Sequence, residues 1–292
     1  MEVTASMVKE LRETSGAGMM DCKKALAECN GNMEEAMNYL REKGIAKSAK
    51  KESRIAAEGL ANIFTDGNKA VILEVNSETD FVSKNEEFVN MIEVIGKSLL
   101  NSDAKTLEEA KEVVTENGKI ADYIISMVAK IGEKLSLRRF EIVEKNDDEE
   151  FGKYLHMGGK IAALTVVKGA NEEVAKDVAM QSAAMKPLYL NIDEVPQEVL
   201  ENERKIQKEL AMNEGKPAEI AEKMVEGRIK KYYKEVCLVE QPFVKDGDLS
   251  VAQFVANNGG EVLKMIRYEV GEGMEKRNDN FAEEVMNQVK GN

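Results

Sequence analysis

Asp80 and Phe81 stand side by side in EVNSETDFVSKNEEF, from Glu74 to Phe88, where a carboxylate adjoins an aromatic ring. Elsewhere the residues that could do chemistry lack company. The only histidine, His156, lies in LHMGGKI; as an acid or base it would need an oriented partner, and its sequence neighbours suggest none. Gly158-Gly159-Lys160 lacks the length and the Ser or Thr of a phosphate-binding P-loop, and no GxGxxG follows a strand. Cys22, Cys29 and Cys237 are odd in number and lack a CxxC spacing, which argues against a disulfide framework or a zinc site. The expectation is a protein with no catalytic centre, no cofactor and no metal of its own.

The elements around Asp80 and Phe81 set how the pair is presented. Val71, Leu73 and Val75 alternate with Ile72, Glu74 and Asn76, as in a strand. Phe88, Met91 or Ile92, Ile95 and Leu99 then recur at helical spacing. The pair therefore falls at a strand-to-helix junction. Ser83 followed by Glu86 fits a capping box that would start the helix just after Phe81. On spacing alone, Asp80 could cap the helix and Phe81 could fill the local core.

Residues 1–54 read as three short helices, broken by SGAG (Ser15–Gly18) and by Asn30-Gly31, with Asn32 able to cap the third. Ala36, Tyr39 and Leu40 would pack the third helix on the second, and the pattern looks like a ubiquitin-associated (UBA-like) module. Met19 and Met20 either fill its core or offer a soft binding surface. Its ten basic and nine acidic residues leave it near neutral, with a local basic run at Lys47, Lys50, Lys51 and Arg54.

Residues 55–145 begin with a hairpin turning at Asp66-Gly67-Asn68, followed by the Ser83–Leu100 helix, a helix in KIADYIISMVAKIGEKL and the strand SLRRFEIVE, whose Leu137, Phe140 and Ile142 can face a core. Residues 146–240 repeat the plan. KIAALTVVKGA answers KAVILEVN, and IAEKMVEGRIKKYYKEVCLVE echoes IADYIISMVAKIGEKLSLRRFEIV. The fold class expected is α+β, with two duplicated subdomains. A charged helical-hairpin insertion spans about 187–226, and a C-terminal module spans 241–292. That module is too small for a core of its own, so its last helix should dock through Phe281, Val285 and Val289.

With 292 residues the chain has room for two or three compact units. A net charge of −13 disfavours nucleic acid and anionic membranes, and no apolar run approaches the roughly 18 residues of a membrane span. The N-terminus lacks the basic start and apolar block of a secretory signal, so a cytoplasmic protein is expected.

Two long stretches, LRETSGAGMMDCKKAL (Leu11–Leu26) and EVNSETDFVSK (Glu74–Lys84), closely resemble the translation elongation factor Ts family. MVAKIGEKLSLRR, HMGGKI, GKPAEIAEKMVEGRIKKYYKEVCLVEQPFV and IRYEVGEGMEK support the resemblance. It implies a guanine nucleotide exchange factor whose partner is elongation factor Tu, GDP-bound or nucleotide-free. By resemblance Thr79, Asp80, Phe81 and Val82 would intrude beside the partner's nucleotide site and dislodge its Mg2+. Met19, Met20, Lys23, Ile131, Gly132 and His156 would add partner contacts, and the insertion leaves room for a homodimer. The resemblance also reverses the spacing argument: Phe81 should face solvent, and Ser83 rather than Asp80 should cap the helix. A ubiquitin-type adaptor and a small-molecule enzyme using His156 are the rival readings, and neither accounts for TDFV.

Overall fold

The computed structural model describes residues 3–215 and 217–275. The expected terminal helix with Phe281, Val285 and Val289, and the side chain of Lys47, lie outside the described residues. The described residues cluster into two compact units: 3–64 with Leu73–Ile142 and 269–275, and Thr65–Ile72 with Val143–Tyr268.

The first unit opens with helices α1 (Ala5–Ser15), α2 (Met19–Glu28) and α3 (Met33–Ala49). Gly16 in the left-handed region (φ 67°) ends α1, and Asn32 caps α3 by accepting from Glu34 N and Glu35 N, as its position after Asn30-Gly31 predicts. Val8, Leu11, Cys22, Ala25, Leu26 and Ala36 form this module's core, with Tyr39 and Leu40 packed against it.

Strands β1 (Glu58–Asp66) and β2 (Lys69–Ser77) follow, joined by a turn at Gly67, whose φ of 53° suits a residue without a Cβ. Helix α4 (Glu86–Leu100) buries Phe88, Met91, Ile92, Ile95 and Leu99, the apolar stripe read from spacing. Next come α5 (Leu107–Glu112), the two-residue strands β3 (Val114–Thr115) and β4 (Gly118–Lys119), helix α6 (Ile120–Ile131) and β5 (Ser136–Glu144). Helix α5 is announced by a capping box between Thr106 and Glu109 that pattern reading passed over. The sheet order is β1-β2-β5. On β5, Leu137 and Val143 are buried, while Phe140 and Ile142 are half-buried.

Glu74, wholly buried on β2, binds this sheet together. Its carboxylate accepts from Arg138 Nη1 (3.0 Å) and Arg139 Nε (2.6 Å) on β5, from Asn76 Nδ2 (3.0 Å) and from the backbone N–H of Gly271 (2.9 Å). Burial alone would raise the pKa of Glu74. The Gly271 N–H, the Arg138 and Asn76 side chains and the Arg139 charge outweigh that and hold it below its ordinary value. Arg139 and Arg138 also donate to the carbonyls of Glu269 and Glu272, so residues 269–272 are tied to the same carboxylate.

The second unit contains β6 (Glu149–His156), β7 (Ile161–Lys168), α7 (Glu172–Met185), α8 (Gln197–Asn213), α9 (Ala218–Val236), β8 (Pro242–Phe243), β9 (Asp246–Ser250), α10 (Val251–Asn257) and β10 (Glu261–Glu269). Strands β6 and β7 pair antiparallel from Glu149–Lys168 to His156–Ile161, and the sheet order is β10-β7-β6.

Two features differ from the sequence reading. Strand β6 has no named counterpart among the expected elements; its Gly152 lets α7 approach, since a Cβ there would lie 1.9 Å from the carbonyl oxygen of Ala175. The expected echo of the third strand at CLVE also fails. Leu238–Glu240 form a single 3-10 turn after α9, and the third strand of the second sheet is β10.

The expected boundary at 240/241 therefore falls inside the second unit. Phe243, Val251, Val255 and Val262 share a core with Val167, Val174, Val178 and Leu190, and Gln181 on α7 bonds to Gln241, Pro242 and Val244. Helices α8 and α9 pack on each other as the helical hairpin expected of the insertion, and Val199, Ile206 and Leu210 on α8 are exposed.

Candidate functional site

Strand β2 stops at Ser77 and α4 starts at Glu86, so residues 78–85 make the junction that carries Asp80 and Phe81. Helix α4 is capped by Asn85, whose Oδ1 accepts from Glu87 N (2.9 Å) and Phe88 N (3.4 Å). Ser83 is not the cap. Val82–Lys84 form a 3-10 turn ahead of the helix, and the Ser83 hydroxyl turns back to donate to the carbonyl of Asp80 at 2.5 Å. Asn85, extended and followed by two glutamates, has the residue type and charge order of a helix start.

The four residues Thr79–Val82 divide by direction. Val82 is 7% exposed and roots the loop, whereas Phe81 is 80% exposed and Asp80 also faces solvent. The core role that spacing allowed for Phe81 is therefore excluded.

The loop is braced from one side. Glu133, just after α6, accepts from Thr79 N (3.0 Å) and from Thr79 Oγ1 (2.6 Å). In the other direction Glu78 accepts from Lys134 N at 2.6 Å and from Arg54 Nη1 at 3.2 Å. Lys51 donates to the carbonyl of Gly132 and Lys134 Nζ to that of Glu52. So Lys51 and Arg54 of the basic run are engaged within the chain. Gly132 (φ 90°) ends α6 in the left-handed region, which turns the chain so that Glu133 and Lys134 meet Glu78 and Thr79. The structure thus joins Thr79–Val82 to the Ile131–Gly132 segment.

Met19 and Met20 sit in the first turn of α2, 56% and 74% exposed, and Lys23 is exposed one turn on, so the methionines do not fill the module's core. Their module is fastened through α3 against α6, with Arg41 Nη2 2.9 Å from Asp122 Oδ2. His156 belongs to the second unit. It ends β6, exposed, with its ring stacked on Tyr154 at 6.1 Å between centroids. Among the described residues no group of three or more His, Cys, Asp or Glu could hold a metal ion.

Sequence reasoning missed Glu78, Glu133 and Asn85. Asn85 had a local signal in the Asn-Glu-Glu order. Glu133 had none, because its partner Thr79 is 54 positions away.

A family model described as elongation factor TS matches residues 78–272. The chain belongs to the elongation factor Ts family. The matched span opens on Glu78, takes in Thr79–Val82, Ile131, Gly132 and His156, and closes on Glu272 of the Glu74 network; Met19, Met20 and Lys23 precede it. Elongation factor Ts proteins act in translation elongation and partner with elongation factor Tu. Among the described residues, no helix of this family member is long and apolar enough to cross a membrane.

Proposed function

We propose that this elongation factor Ts family member is a guanine nucleotide exchange factor that binds elongation factor Tu in its GDP-bound and nucleotide-free states and works in the cytoplasm. The observation that carries the reading is Phe81, 80% exposed at the tip of a loop braced by Glu133 and Glu78. In this reading Phe81 enters an apolar crevice of the partner, where burying a phenyl ring contributes about 1.5–3 kcal/mol. Asp80, exposed beside it, acts as a polar anchor or as a negative charge opposing an acidic group of the partner. Magnesium demands near-octahedral oxygen ligation, so a wedge that shifts its surroundings loosens both metal and GDP.

Exchange then follows from linkage: a factor that weakens GDP binding has its own binding weakened by GDP to the same extent. Nucleotide-free partner is held most tightly, and incoming GTP expels the factor. No chemical step and no cofactor of this chain is required. Thr79 and Val82 shape the wedge from behind, while Met19, Met20, Lys23, Ile131, Gly132 and His156 are assigned as further partner contacts.

Release of labelled GDP from elongation factor Tu tests the reading. Phe81→Ala should slow the stimulated rate about tenfold or more, the equivalent of losing a buried ring. A stimulated rate equal to wild type would rule out the wedge. Exposed Val199, Ile206 and Leu210 on α8 favour a second arrangement, a homodimer through the insertion, for which light scattering should give twice the 32.4 kDa chain mass.

A further inference from the structure

Asp80 and Phe81 protrude from a loop that their own side chains do little to hold. Phe81 is 80% exposed, and the hydrogen bonds within residues 77–85 are short-range turns: Ser77 Oγ to Thr79 O, Ser83 Oγ to Asp80 O, Lys84 N to Phe81 O and Asn85 N to Val82 O. Turns of this kind set local shape, and buried Val82 roots the loop on its helix side, but neither fixes the strand-side arm from Glu78 to Phe81 against swinging about Val82. What opposes that swing is reciprocal. Glu133 of one segment grips both the N–H and the hydroxyl of Thr79, and Glu78 of the other grips the N–H of Lys134, with Arg54 against the Glu78 carboxylate, which is only 9% exposed. Each segment contributes one carboxylate and receives one. Bonds to ionised acceptors are the strong ones, and two placed in opposite senses resist both translation and rotation of the loop.

Resting on the exchange reading, we propose that Glu133, with Thr79 as its partner, is a positioning residue for exchange: it holds the Asp80–Phe81 wedge in its projecting attitude before the partner is met. Glu133 bonds to the residue immediately before Asp80. It therefore acts through the loop and need not touch the partner. A wedge fixed in advance avoids the ordering cost that a loose loop would incur on docking, and this advantage falls on the step that uses the wedge. Removing the brace should depress the maximal rate of GDP release rather than the affinity for the partner, which other surfaces also supply.

The test uses full-length protein and two readouts. The chain contains no tryptophan, so Phe81→Trp installs a single reporter at the tip. In that background Glu133→Ala should add a fast, large-amplitude component to the nanosecond anisotropy decay, and Thr79→Val, which removes only the hydroxyl bond, should add a smaller one. With Phe81 in place, Glu133→Ala should cut the maximal stimulated GDP release about tenfold while the half-saturating concentration stays within about twofold. Glu133→Gln, which keeps one acceptor oxygen, should fall between Ala and wild type. In a Phe81→Ala background, Glu133→Ala should have little further effect.

An unchanged anisotropy decay together with an unchanged maximal rate would overturn the proposal. So would a loss confined to the half-saturating concentration, or one matched by a lowered unfolding temperature in both Glu133→Ala and Thr79→Val. If wild type itself fails to stimulate release, the exchange reading falls and takes the rate prediction with it, while the anisotropy arm still decides whether Glu133 holds the loop.

Discussion

In the sheet β1-β2-β5 a buried carboxylate, Glu74, gathers two guanidinium groups and the N–H of Gly271; behind β10-β7-β6 the same task falls to neutral amides, Gln181 and Gln241. Both networks tie a late segment of the chain to an earlier sheet or helix, residues 269–272 in one case and 241–244 in the other. The repeated α+β plan has therefore been fastened twice with different chemistry. The ionised version is stiff and directional, and it sits on the strand that launches the Thr79–Val82 loop. The neutral version is indifferent to acid and tolerates removal of one partner better.

The largest expected effect comes from breaking the ionised network. Glu74→Ala leaves Arg138 and Arg139 without their buried partner and should cost about 3–5 kcal/mol. Hydrogen exchange should then speed up in β2 and β5 while β7 and α7 stay protected. Equal deprotection of both sheets would erase the contrast. Acid should produce the same asymmetry without mutation. The folded pKa of Glu74 lies below its unfolded value, so its contribution is fully present above about pH 4.3 and is lost as pH falls through the folded value. The Gln181 network has no such dependence, so amides of the first sheet should open before those of the second in an acid titration followed by hydrogen exchange.

Gly152→Ala attacks the second unit through packing. Its Cβ would lie 1.9 Å from the Ala175 carbonyl oxygen, so strand and helix must part, at a cost of about 3 kcal/mol. Urea unfolding should show the loss, with exchange rising in β6 and α7. The smallest effect is expected from Gln181→Ala, which strands the N–H of Val244 and the Oε1 of Gln241, while Gln241 Nε2 keeps its bond to the carbonyl of Glu235. About 1–3 kcal/mol is the scale for such unpaired buried groups. A cost above that of Glu74→Ala would reverse the ranking of ionised over neutral fastening.

Residue patterns by themselves determined much of this protein. The three N-terminal helices follow from Asn30-Gly31, Asn32 and the SGAG break. The β1–β2 hairpin follows from its glycine turn, α4 from its apolar stripe, and the family from TDFV and its flanks. These are local signals, since periodicity, turn chemistry and caps act within a few residues of where they are written. Tertiary structure decided what depends on distant partners. Whether Phe81 faces core or water depended on which groups hold its loop, and Glu133 reaches Thr79 across 54 positions. Strand β6 carries Gly152, a residue that weakens a strand locally and is required by a helix arriving from later in the chain. The third strand of the second sheet is β10 and not the CLVE segment, because strand pairing is settled by the open sheet edge that the rest of the unit leaves, a property no short segment carries.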